Sequence, residues 1–154
     1  MSEGTIEISL TQEEAYRFKV QFSSDTPAML TDEPAPLGAA AGPSPVELLV
    51  SAVASCLTDS LIFALNKFKQ PIDGIRTEAT AELGRNADKR LRVAKVNVTV
   101  HLGHAQAEIE RLERILDQFE QFCTVSQSVA QCLPVQLTVV DSEGVELKQS
   151  ILGD

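Results

Sequence analysis

The cysteines are the residues of this chain with the most chemistry to offer. Cys56 stands in the middle of PSPVELLVSAVASCLTDSLIFAL, residues 43–65, where helical spacing sets Asp59 and Ser60 beside it. A cysteine there is either a small apolar core residue or a thiol that the fold is built to hold. The Asp59 carboxylate would push the thiol pKa up, so a reactive Cys56 needs a cation from elsewhere in the chain. Arg17, on a strand between Tyr16 and Phe18, is the first candidate, with Arg76 and Arg92 competing. Cys123 opens C-T-V-S ahead of a short helical piece, and a helix N-terminus favours the thiolate. Serine in the last place of that motif rules out a local disulfide, which leaves Cys56 or Cys132 as a partner for Cys123. Cys132 itself reads as a core or edge residue.

Other chemistries find little support. A net charge of −9, with 22 acidic against 13 basic side chains, lacks the basic cluster that a nucleic-acid partner requires. His101, His104 and the three cysteines show no metal-ligand spacing, and His101 falls on the polar side of a strand, so neither metal nor cofactor is expected. Phosphate-binding loops, dinucleotide fingerprints and nucleophile elbows are missing from the sequence. Asp32-Glu33 reads as a solvated acidic turn. The start, MSEGTIEISL, has no basic-then-apolar leader, and the apolar stretch 48–65 is interrupted by Asp59 and several Ser and Thr. A cytoplasmic protein without a membrane span is the expectation, and in a reducing compartment a disulfide is more often redox-active than structural.

The elements that would hold these residues follow from periodicity. TIEISL (5–10) and YRFKVQF (16–22) read as two strands joined through QEEA, and AMLTDE (28–33) as a third. Ser44-Pro45-Val46-Glu47 is a helix start with Ser44 as N-cap, Pro45 in the first position and Glu47 closing a capping box. That helix runs to about Phe68, is apolar on most sides and should be central and largely buried. IRTEATAEL (75–83), with Ile75, Ala79, Ala81 and Leu83 on one face, pairs with VAKVNVTVHL (93–102), with Ala94, Val96, Val98, Val100 and Leu102 on one face. Residues 106–122 place Ile109, Leu112, Ile115, Leu116, Phe119 and Phe122 at helical spacing, and a short helical piece ends near Cys132. VQLTVV (135–140) is a strong strand and VELKQSI (145–151) a weaker one. The order β-β-β-α-β-β-α-α-β implies an α+β fold. A helix apolar on most sides needs more cover than one such chain supplies, which implies a homodimer.

PSPVELLVSAVASCLTDSL, followed 67 residues later by CTVSQSV and preceded by TDEP…G…GPSP, resembles the OsmC/Ohr superfamily over nearly the whole chain. The resemblance implies one OsmC-like domain over 1–154: an N-terminal β-hairpin region 1–35, a loop 36–43, a central helix 44–68, a β-hairpin 75–102, helices 105–132 and a C-terminal strand region 134–151. It implies an intertwined homodimer with antiparallel sheets around the buried helix and active sites near the subunit interface. It further implies a thiol-dependent peroxidase for organic or fatty-acid hydroperoxides, acting in oxidative-stress defence. Cys56 would be the peroxidatic thiolate, Cys123 the resolving thiol, Arg17 the supporting cation and a dithiol the reductant. Val46 stands where peroxidases of the superfamily place a glutamate. Glu47 lies nine residues before Cys56, about 13 Å along the axis and on the opposite face, so it cannot orient that thiol in its own chain. This departure keeps a second expectation open: an OsmC-like protein that binds a small hydrophobic ligand, or senses redox state, with little peroxidase activity.

Overall fold

The computed structural model describes residues 4–23 and 25–152. The outermost residues of the expected 1–154 domain and of its N-terminal region therefore lie outside the described residues. The chain forms two compact units, residues 1–49 and 50–154. The first carries strands β1 (Ser9–Glu14), β2 (Arg17–Gln21) and β3 (Met29–Thr31) in one antiparallel sheet of that order. The second carries β4 (Arg76–Arg85), β5 (Leu91–His101), β6 (Val135–Val140) and β7 (Glu146–Leu152), again side by side in chain order. Helix α1 (Pro45–Lys67) starts in the first unit and continues into the second; α2 (Leu112–Gln118) and α3 (Thr124–Val129) belong to the second. The α+β class is as the sequence implies.

Helix α1 begins as expected. The Ser44 N–H donates to Glu47 Oε2 at 2.7 Å, and the Glu47 N–H donates to Ser44 Oγ at 3.3 Å. That reciprocal pair satisfies two of the orphan donors of the first turn. At the other end Lys69 takes a left-handed conformation, φ 57°, and the Gln70 N–H reaches back to the Leu65 carbonyl before Pro71 prevents continuation. Burial departs from expectation. Only the stripe Val53, Leu57, Leu61 and Leu65, one residue per turn, is fully buried. The remaining apolar surface of the helix is half-covered or open, Phe63 being 67% exposed. By length and hydropathy α1 would suffice to cross a membrane, and core helices pass the same test.

The core of the second unit joins that stripe with Val96, Val98 and Val100 of β5 and Val135, Leu137 and Val139 of β6. Thr58 Oγ1 and Thr77 Oγ1, 2.7 Å apart, tie α1 to β4. Burying the Leu57 side chain completely makes it costly to shorten: Leu57→Ala is expected to lose about 2–5 kcal/mol of stability, read from urea unfolding.

Four further expectations are corrected. The first hairpin turns at Ala15-Tyr16, and β1 extends through Gln12-Glu13-Glu14 instead of ending at residue 10. Leu83, expected on the inner face with Ala79 and Ala81, is 55% exposed, and a register shift at Glu82/Leu83 leaves Ala94 without a cross-strand partner and exposed as well. Among the described residues every strand pairing is antiparallel except β5–β6, which is parallel and is made possible by the long helical crossover 102–134. The expected helix 106–122 is broken into a 3-10 turn (Gln106–Glu108), α2 and a second 3-10 turn (Phe119–Phe122). Arg111 in the left-handed region, φ 57°, is where the helical path breaks before α2.

Candidate active site

Cys56 and Cys123 come together. Cys56 is half-buried on α1, and Cys123 is fully buried as the N-cap of α3. The two side chains are near enough for Cys56 to act on the Cys123 thiol, and both are free thiols. A short relay fixes Cys123 against the helix. Its thiol donates to Ser126 Oγ at 2.9 Å, the Ser126 N–H donates back to Sγ at 3.4 Å, and Ser126 Oγ donates to the Val53 carbonyl at 3.3 Å. Val53 is three residues before Cys56, so the relay docks α3 one turn from the first thiol. The serine that excludes a local disulfide is thus the residue that orients Cys123.

The two thiols differ in environment. Burial pushes the Cys123 thiol up, and the neighbouring Cys56 pushes it further; the Ser126 hydroxyl and N–H pull the other way without prevailing. The expectation that the α3 N-terminus would make Cys123 a thiolate is therefore corrected: loss of water outweighs one backbone donor from a six-residue helix. Cys123 is kept as a neutral S–H. Cys56 is the more accessible of the two.

Cys56 opens into a cleft of about 480 Å³ lined by Asp59, Ser60, Phe63, Phe122 and Thr124. Asp59 and Ser60 stand where helical spacing puts them. Phe63 and Phe122 were not singled out as site residues from the sequence, although Phe63 lies two turns beyond Cys56 and Phe122 immediately precedes Cys123. Phe122, expected on an apolar helix face, is 71% exposed because the second 3-10 turn swings it away from the buried row.

Arg17 lies in the first unit in an ordered setting of its own. Its Nε is 3.5 Å from Asp32 Oδ2, and Nη1 is 3.4 Å from Glu14 Oε2. Asp32 is 3% exposed, so the reading of Asp32-Glu33 as a solvated turn is corrected. Burial alone would push its carboxyl up. The backbone N–H groups of Ala41, Ala39 and Glu33, together with the Arg17 charge, outweigh that and hold it below the usual carboxylate value. Asp32 thereby folds the loop 32–41 around itself. A Cβ on Gly38 would fall 2.3 Å from Asp32 Oδ1, and one on Gly42 would fall 2.1 Å from the Leu30 carbonyl oxygen, so both glycines are demanded by close approach. The TDEP…G…GPSP pattern is the signature of this loop.

The competing cations are occupied otherwise: Arg76 pairs with Glu78, and Arg92 donates to the Leu91 carbonyl. Cys132, expected at the core or an edge, is exposed. His101 contacts Glu78, and His104 contacts Asp73 at 2.9 Å, which raises the His104 pKa.

Two sheets, a long helix and a thiol pair held by that helix and the crossover segment define an α+β protein. The model of the family described as OsmC-like protein matches residues 38–138, and the chain belongs to that family. No curated protein matches it. Among solved structures it is similar to an OsmC-like protein of unknown function from Vibrio cholerae (TM-score 0.74, 19% identity, covering 91% of this chain and 100% of that one). It is also similar to the organic hydroperoxide resistance proteins of Bacillus subtilis (TM-score 0.64, 18% identity, 90% and 99% covered) and Elizabethkingia anophelis (TM-score 0.68, 16% identity, 92% and 99% covered). The last of these carries bound thiocyanate.

Proposed function

We propose that this protein is a thiol-dependent peroxidase for organic hydroperoxides, and that 1–154 works as one OsmC-like domain in a homodimer in the cytoplasm. The observation that carries the reading is a cleft-lining Cys56 close enough to a fully buried Cys123 to push that thiol up. The Cys56 thiolate attacks the terminal peroxide oxygen. The O–O bond breaks, the alcohol leaves after taking one proton, and Cys56 becomes a sulfenic acid. The Cys123 sulfur then attacks that sulfenic sulfur, water leaves, and a disulfide joins the two cysteines. A dithiol reductant exchanges with the disulfide and is itself oxidised. We assign Arg17, from this chain or a second copy, to support the thiolate; its Nη2 makes no ion pair among the described residues. The half-covered apolar surface of α1 away from Phe63 and the cleft is what a second copy would cover.

A second reading is favoured by one observation: no residue lining the cleft is cationic, and Asp59 is among them. On this reading the cleft takes a small hydrophobic ligand and the thiols cycle slowly as a sensor. Consumption of cumene hydroperoxide by the reduced protein separates the two. A saturable rate well above that of an equal concentration of free thiol supports the peroxidase; a rate equal to free thiol supports the ligand or sensor role.

A further inference from the structure

The cleft does not end at Phe63. A second hollow, of about 230 Å³, shares Ser60, Phe63 and Phe122 with it and continues past Phe68 and Phe119 to Lys67 and Arg114. The two hollows adjoin along α1, sharing these three residues. Cys56 and Lys67 are eleven residues apart on this helix, close to three full turns, so they fall on nearly the same face about 16 Å apart along the axis. Between them the hollows are lined by aromatic rings. At the far end stand two cations in a chain whose acids outnumber its bases 22 to 13. Among the described residues neither Lys67 nor Arg114 makes an ion pair; Arg114 lies over the Phe68 ring at 5.6 Å. Lys67 in the last turn of α1 also favours the helix dipole, and Arg114 gains from the ring, but neither effect requires both to border one hollow. Asp117 borders the same hollow, leaving a net positive end.

We propose that Lys67 and Arg114 form a head-group subsite for a carboxylate at the end of an apolar chain whose other part lies over Phe63 and Phe122 beside Cys56. The subsite rests on the peroxidase reading only for what happens at the thiol end. Head-group selection follows from charge, the apolar floor binding any chain of suitable length.

The test uses the full-length Cys56→Ser protein and two unreactive probes, dodecanoate and dodecanol, with binding followed by calorimetry at low salt. Dodecanoate is expected to bind at least about tenfold tighter than dodecanol, roughly what two partly screened charges supply. The preference should shrink as salt rises. The K67E/R114E protein is expected to lose that preference while binding dodecanol as before, which also reports that it is folded. Equal binding of the two probes, no binding of either, or a preference that survives the double reversal would overturn the proposal. A wild-type protein that reduces no hydroperoxide yet keeps the head-group preference removes the peroxidase reading and supports the subsite.

Discussion

Cys56→Ser is expected to cut the rate of organic hydroperoxide reduction by at least about a thousandfold, equivalent to about 4 kcal/mol of barrier. Serine keeps the size and the helix but has no accessible oxyanion at neutral pH, so the attack on the O–O bond loses its nucleophile. Cys123→Ser should behave differently. The first turnover survives, because Cys123 does not touch the peroxide, but the Cys56 sulfenic acid then has no resolving thiol. A burst of one equivalent of alcohol per subunit followed by near-arrest is the expected trace. If Cys123→Ser were as inactive as Cys56→Ser from the first turnover, the division of labour read from the buried, neutral Cys123 would be wrong. Cys132→Ser should leave both phases unchanged, since its thiol is exposed and donates to the Val129 carbonyl.

The second large effect is structural and lies in the first unit. Asp32→Asn removes the charge that three backbone N–H groups and Arg17 surround. Because the folded carboxyl titrates below its ordinary value of about 3.9, its contribution to stability is complete above that value. It is lost as pH falls through the lower folded value. The Asn variant should therefore melt lower at neutral pH and show a shallower loss of stability on acidification. The loss will not vanish, since Glu47, Asp73, Glu78 and Asp141 are held low as well. Gly42→Ala, whose Cβ would meet backbone that cannot step aside, is expected to cost more than about 3 kcal/mol, at the upper end for single substitutions. Thermal melts of both variants across pH 2–8 check this, with that range chosen to bracket the carboxylates. An Asp32→Asn acid limb as steep as the parent's would contradict it.

What the sequence made legible was local. Ser44, Pro45 and Glu47 define the start of α1 through short-range hydrogen bonds, and they form as read. The alternation in 93–102 and 135–140 yields β5 and β6 because one buried face enforces period two. What escaped depends on residues distant in sequence. The parallel pairing of β5 with β6 is a tertiary choice that antiparallel-looking strands do not declare. Ala94 lost its place to a register shift that alternation alone cannot show. Asp32 looked like a surface acid because its partners, the N–H groups of Ala39 and Ala41, are backbone and have no side-chain signature. The pairing of Cys56 with Cys123 was implied by the resemblance and not by spacing. The role of Ser126 as its clamp, and the aromatic walls Phe63 and Phe122, needed the folded chain.

If Cys56 and Cys123 act as one redox pair, a single oxidation experiment isolates that pairing. Fully reduced Cys132→Ser protein is mixed with one equivalent of cumene hydroperoxide, thiols are counted before and after, and the linkage is mapped by peptide mass. Rapid loss of both thiols with a peptide joining Cys56 to Cys123 is the predicted result. Two thiols retained, or oxidation of Cys56 with no bridge to Cys123, would contradict it.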